Sequence, residues 1–214
     1  MFKKRAYFIA AVGTDIGKTF LVENLCRNLP DVLAIKPIAS GFCDNDFGSD
    51  SAKILQALNL EISQENINKI TPWRFAEAVS PHFAAEKSGA KINFLEVVKF
   101  CREKILEAEK NNKFLFIEAA GGVMTPINDN KTFLDLAVEL QIPTLLVSAN
   151  YLGAISHTLS AVKALDLSGV VVEKIIINEN SPLFKTQENS IIETIKNFTL
   201  KDVVLLSDFF KKFS

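Results

Sequence analysis

The chain has 214 residues, 48% of them hydrophobic and 23% charged, and its formal net charge is −1. Such a chain can bury a sizeable core as one domain spanning 1–214, it offers no basic footprint for nucleic acid, and it has no stretch long enough to span a membrane. Cys26, Cys43 and Cys101 are far apart and form no CxxC pair, so reduced thiols in a cytoplasmic protein are expected. The basic start Lys3-Lys4-Arg5 leads into an apolar stretch too short for a signal peptide.

Short apolar and β-branched runs recur along the chain. Tyr7–Val12 and Val32–Ile35 come first, then Phe114–Glu118, Thr144–Ser148, Lys174–Asn178 and Val203–Leu206. Segments of helical spacing lie between them. A helix-like stretch opens at Phe20, Phe94-Val97-Val98-Cys101-Ile105 share a face, Phe133-Leu136-Ala137-Leu140 repeat that spacing, and Ile155–Leu165 is a further case. Near-continuous apolar strands alternating with helices predict an α/β fold, a mostly parallel sheet with helices on both faces. The polar loops 45–51 and 178–186 come closest to linkers, and neither is convincing as one.

Ligands of such sheets sit beyond the carboxyl ends of the strands. The first strand is followed by Gly13-Thr14-Asp15-Ile16-Gly17-Lys18-Thr19 and then a helix, the order of a P-loop. Backbone N–H groups and the positive helix end meet phosphate there, the Lys adds a mobile ammonium, and the Thr hydroxyl faces Mg²⁺. The strict pattern places Gly at position 12, where the chain has Val12. Later strands deliver Lys36-Pro37-Ile38-Ala39-Ser40-Gly41, then Glu118-Ala119-Ala120-Gly121-Gly122, then Asn150-Tyr151-Leu152-Gly153-Ala154, and finally Asn178. His82 and His157 lack metal-ligand spacing and read as structural residues.

Together with Ser49-Asp50, Ser80-Pro81-His82, Thr125-Pro126 and Leu152-Gly153-Ala154-Ile155-Ser156-His157, these blocks resemble the dethiobiotin synthetases in order and spacing over about residues 6 to 180. The resemblance implies a P-loop enzyme that uses ATP and Mg²⁺ to close a urea ring on 7,8-diaminopelargonic acid with CO2. It implies that Thr14, Asp15, Ile16, Gly17, Lys18, Thr19 and Phe20 surround the phosphates, with Asp50, Glu118, Ala119, Ala120 and Gly121 completing the nucleotide site. Thr19, Asp50 and Glu118 supply the oxygen ligands that Mg²⁺ prefers. Lys18 clamps the γ-phosphate, Lys36 holds the carbamate, and Ser40 and Thr14 meet the substrate. Asn178 and Glu179 lie at the base. Gly153 and Ala154 begin a helix that receives the distal carboxylate, contributed by the Leu152–Ala154 loop of a partner subunit in a homodimer.

Three departures stand out. The family's leading loop Gly falls on Ala11, and Gly13 takes an acidic position. Ala119 replaces a Gly and adds a methyl where backbone should approach the nucleotide. The segment after the last strand, 207–214, lacks the Pro-containing stretch that contacts the base in relatives. Among rival readings, a deviant Walker ATPase expects a Lys early in the loop, where this chain has Gly13. A cobalamin-type amidotransferase synthetase expects a glutaminase domain that 214 residues leave no room for.

Overall fold

The computed structural model describes residues 2–43, 47–179 and 188–211. Parts of the two polar loops noted above, and 212–214 of the tail, lie outside the described residues. Strands β1 (Ala6–Ala11), β2 (Val32–Ile35), β5 (Phe114–Glu118), β6 (Thr144–Ala149), β7 (Val172–Asn178) and β8 (Val203–Leu205) form a six-stranded sheet of order β2-β5-β1-β6-β7-β8. Every pairing in it is parallel. All six residues of β1 and all six of β6 are buried, because helices cover the strands and leave no face for polar alternation.

The helices are α1 (Lys18–Asn28), α2 (Asp50–Ala57), α3 (Gln64–Ile70), α4 (Pro81–Lys87), α5 (Phe94–Lys110), α6 (Phe133–Leu140), α7 (Ala154–Leu167), α8 (Glu188–Thr199) and α9 (Leu206–Phe210). The Phe94, Val97, Val98, Cys101 stripe is buried in α5, and Phe133, Leu136, Ala137 and Leu140 are buried in α6. A capping box in which Thr132 and Asp135 exchange hydrogen bonds fixes the start of α6. From β1 the chain first builds outward to β2 and β5, then crosses back to β6, β7 and β8. The loop after β1 therefore lies at the switch point where ligands bind in such sheets.

Several boundaries differ from expectation. The first strand is Ala6–Ala11 rather than Tyr7–Val12, although the Val12 N–H still donates to Val147 O at 3.1 Å. β7 begins two residues earlier than the apolar run suggested. Leu206 does not end β8 but opens α9, whose first N–H groups are held by a carboxylate described below. A second, two-stranded parallel sheet joins β3 (Ile38–Ser40) to β4 (Trp73–Phe75), and three residues are too few to show a period.

Tyr7 ties the amino-terminal segment to the sheet. Its hydroxyl accepts from the N–H groups of Lys3 and Lys4 at 2.8 and 3.0 Å and donates to Glu173 Oε1 at 3.0 Å, while its ring lies against Phe2. Tyr7→Phe should lower unfolding free energy by about 1–2 kcal/mol, the cost of stranding partly buried partners. Urea unfolding measures this, and an unchanged midpoint would show that the three bonds contribute nothing.

Candidate active site

The loop from Val12 to Gly17 turns the chain from β1 into α1. Gly17 caps α1 at φ 108, and a Cβ there would lie 2.4 Å from Asn178 Nδ2. That amide donates to Ile16 O at 3.0 Å, so the end of β7 braces the loop through a contact that only glycine permits. The first turn of α1 has no side-chain cap and no acidic residue. Its N–H groups are therefore available to an anion, and the helix dipole favours one.

Lys18 is buried, and its ammonium donates to Gly13 O at 2.9 Å and Gly121 O at 2.6 Å. Burial lowers its pKa to about 8, despite the opposing pull of the Glu118 carboxylate. The second glycine segment must come close for this contact. Gly121 has φ +67 with Thr125 Oγ1 where a Cβ would go, and a Cβ on Gly122 would sit 3.2 Å from Val12 O.

Four further side chains converge beside the loop. Lys36 follows β2, Asp50 opens α2, Glu118 ends β5, and Thr19 lies in the first turn of α1. The Lys36 ammonium bridges Asp50 Oδ2 and Glu118 Oε1, the latter at 2.9 Å. Thr19 Oγ1 donates to the same Glu118 oxygen at 2.7 Å. Burial would depress Lys36, but the carboxylates of Glu118 and Asp50 outweigh it and hold the ammonium above its usual range. Burial likewise opposes ionisation of Asp50, yet Lys36 prevails and keeps that carboxyl below its usual range. Asp50 does not cap its helix. Ser49 is the cap, accepting from Ala52 N at 3.2 Å, which leaves the Asp50 carboxylate to Lys36.

Glu118 is fully buried, and its Oε2 has no hydrogen-bond partner among the described residues. An orphaned carboxylate oxygen beside a second carboxylate and a hydroxyl suits a hard cation. No cluster of three or more His, Cys, Asp or Glu residues exists among the described residues. Mg²⁺ retains waters and takes one or two carboxylates alongside phosphate oxygens.

These groups line a cavity of about 790 Å³. Thr14, Asp15, Gly17, Lys18, Thr19 and Phe20 form one wall, and Lys36, Ser40 and Asp50 another. Glu118, Ala120 and Gly121 form its base. Ile16 and Ala119 are buried and do not line it, so the extra methyl of Ala119 points into the core instead of the cavity. Asn178 braces the loop from behind. The Glu179 carboxylate accepts from the N–H groups of Leu206 and Ser207 at 3.0 and 2.9 Å, which anchors α9. Gly153 and Ala154 do not line the cavity of their own chain. Gly153 (φ 95) caps α7 without a side-chain bond, and Leu152 beside it is 84% exposed. His82 and His157 make local bonds, to Ser80 Oγ and to the Tyr151 hydroxyl.

The sequence reading missed Glu23 and Lys53, which also line the cavity. The signal was available, because Glu23 lies four residues after Thr19 and Lys53 three after Asp50, on the same helix faces.

The fold and the loop define a P-loop nucleotide enzyme of the mostly parallel α/β class. Aquifex aeolicus MinD, a cell division protein, superposes with a TM-score of 0.54 at 13% identity, over 98% of this chain and 85% of its own. A ParA family ATPase from Chlorobium tepidum gives 0.51 at 13%, over 94% and 83%. Those likenesses concern the fold alone. A family model described as an AAA domain matches residues 5–204. The ATP-dependent dethiobiotin synthetase BioD of Methylobacterium nodulans is 37% identical over 88% of this chain and 86% of its own. That of Acidiphilium cryptum is 38% identical over 83% and 81%, and that of Legionella pneumophila strain Philadelphia 1 is 36% identical over 92% and 91%. The chain belongs to the ATP-dependent dethiobiotin synthetase family and is an ATP-dependent ligase.

Gly17→Ala tests the loop geometry. The strained φ and the collision with Asn178 should weaken nucleotide binding by about tenfold or more, in line with about 1–3 kcal/mol of backbone strain. Calorimetric titration with ADP measures it, and parent-like affinity would show that the loop tolerates a side chain there.

Proposed function

We propose that this chain, as a single ligase domain, makes dethiobiotin from 7,8-diaminopelargonic acid, CO2 and ATP. The observation that carries the reading is the cluster of Lys36, Asp50, Glu118 and Thr19 set against the P-loop. One amine of the substrate adds CO2 and loses a proton, giving a carbamate. A carbamate oxygen attacks the γ-phosphorus and ADP leaves. The neighbouring amine then attacks the carbamoyl carbon, phosphate departs with the carbamate oxygen, and loss of a proton leaves the cyclic urea.

No covalent nucleophile is needed, so the protein's work is positioning and charge. Lys18 and the α1 N–H groups hold the phosphate chain. Lys36 joins the carbamate to the phosphoryl group in flight, and Ser40 and Thr14 orient the carbamate-bearing end. Thr19, Asp50 and Glu118 would hold Mg²⁺, which would neutralise charge on the phosphate oxygens. Asn178 and Glu179 face the region of the base. The α7 start at Gly153, which has no side-chain cap, together with Ala154 and exposed Leu152, suits capture of the distal carboxylate by a second subunit of a homodimer. No helix among the described residues is long and apolar enough to cross a membrane, and we assign the enzyme to the cytoplasm.

The direct test incubates purified protein with 7,8-diaminopelargonic acid, bicarbonate, Mg²⁺ and ATP. Dethiobiotin, identified by mass, is the expected product, and ATP turnover without it would refute the reading. Lys36→Ala should lose at least about a hundredfold in kcat while still binding ADP. Retained turnover would remove Lys36 from the chemistry. Asp50→Asn and Glu118→Gln should each raise the Mg²⁺ concentration needed for half-maximal rate, because an amide is a poorer ligand for a hard dication. Titrations that overlay the parent would dismiss the metal assignment.

Base discrimination should be weak. Among the described residues, the Asn178 amide is engaged with the loop and the Glu179 carboxylate with α9, which leaves these two less able to read a base. One or two hydrogen bonds, at about 0.5–1.5 kcal/mol each, correspond to one to two orders of magnitude at most. We expect kcat/KM for GTP and CTP within about a hundredfold of ATP. A thousandfold preference would show that adenine is read by another segment.

A further inference from the structure

Lys36 holds one oxygen of each of the two carboxylates that the ligase reading assigns to Mg²⁺. Its ammonium bridges Asp50 Oδ2 and Glu118 Oε1, the Thr19 hydroxyl donates to the latter oxygen, and Glu118 Oε2 has no partner among the described residues. A dication on these carboxylates, reaching Glu118 through its unpartnered Oε2, would lie against this ammonium, and two cations so close in a buried site repel strongly. The Lys36 backbone cannot yield. Its N–H donates to Ile70 O at 3.1 Å and the next residue is Pro37, with a fixed φ, so only the four-bond side chain can move. The direction of that movement is set by its surroundings. Ser40 and the cavity lie on one side, and Lys18 is pinned elsewhere by Gly13 and Gly121.

We infer that Lys36 is a resident counter-ion exchanged for the divalent metal, so that metal binding is what releases the ammonium into the substrate cavity. This rests on the proposed ligase reading and adds an order of events to it. Without metal the lysine neutralises the buried carboxylates and is withheld from the carbamate. With metal the carboxylates are satisfied by the dication, and Lys36 becomes available to the substrate at the moment when phosphoryl transfer can occur.

The exchange makes a prediction opposite to that for an ordinary active-site substitution. Removing Lys36 should strengthen metal binding, by about tenfold if the bridged arrangement outweighs the open one about ten to one. Free Mn²⁺ measured by electron paramagnetic resonance, in the presence of ADP, reads this without turnover. Lys36→Met should bind Mn²⁺ about tenfold more tightly than the parent. Lys36→Arg, which keeps a cation in the gap, should stay within about threefold of it. Unchanged or weaker binding in Lys36→Met would overturn the exchange. Should Lys36→Met not fold, the parent labelled with ¹³C at lysine Cε decides the matter. The Lys36 resonance, identified by its loss in Lys36→Arg, should move when Mg²⁺ is added to the ADP complex and return with EDTA. A resonance that stays fixed at saturating Mg²⁺ would sink the proposal. Absence of dethiobiotin in the product assay would defeat the ligase reading and leave the exchange standing, because Mn²⁺ binding requires no catalysis.

Discussion

A carboxylate with no exposure to water governs this molecule. Glu118 ends a central strand, fully buried, and an ion there is costly unless cations and donors surround it. Lys36 and Thr19 supply them, and Asp50 adds a second carboxylate that makes Lys36's charge worth retaining. Each partner comes from a different element: β2, α1 and α2. Losing one partner of a buried pair costs about 3–5 kcal/mol, because the remaining charge is left uncompensated. The cluster therefore fixes how two helices and an edge strand sit around the end of β5, and with them the shape of the nucleotide loop. The same electrostatic demand that organises the fold prepares the place where the proposed metal and phosphate chain would be neutralised.

Much of this could be read from the chain because it rests on local chemistry. Gly17-Lys18-Thr19 after an apolar run locates the loop, since strand, glycine and helix start are all encoded within a dozen residues. The buried stripes of α5 and α6 follow from their spacing, and Lys36, Asp50 and Glu118 were each visible as polar residues at strand or helix ends. That Lys36 bridges the other two was not visible, because positions 36, 50 and 118 meet only through the β2–β5 pairing. The anchoring of α9 by Glu179 was equally hidden, because the carboxylate meets the N–H groups of Leu206 and Ser207 only once β7 and β8 are paired. Strands β3 and β4 escaped notice because three residues carry no period.

The fold does not by itself distinguish a ligase from other proteins of this architecture, since MinD, a cell division protein, and a ParA family ATPase share it. What separates them is the far wall of the cavity. Lys36, Ser40 and Asp50 line the same cavity of about 790 Å³ as the P-loop residues. A nucleotide switch needs a surface that changes with the γ-phosphate. In the proposed mechanism, Lys36 and Ser40 would instead meet the phosphoryl acceptor there. The relatives at 36 to 38% identity over most of both chains agree with that distinction.

The central chemical claim is that an oxygen derived from CO2 becomes the bridge to phosphorus and leaves with it. Carrying out the reaction with ¹⁸O-labelled CO2, over a time short compared with exchange of the label into water, tests this at the level of single atoms. The mechanism predicts inorganic phosphate carrying one ¹⁸O for each ring closed, seen as a two-mass-unit shift. Unlabelled phosphate, formed alongside dethiobiotin, would mean that ATP is cleaved by water or by another acceptor and that the carbamate is never phosphorylated.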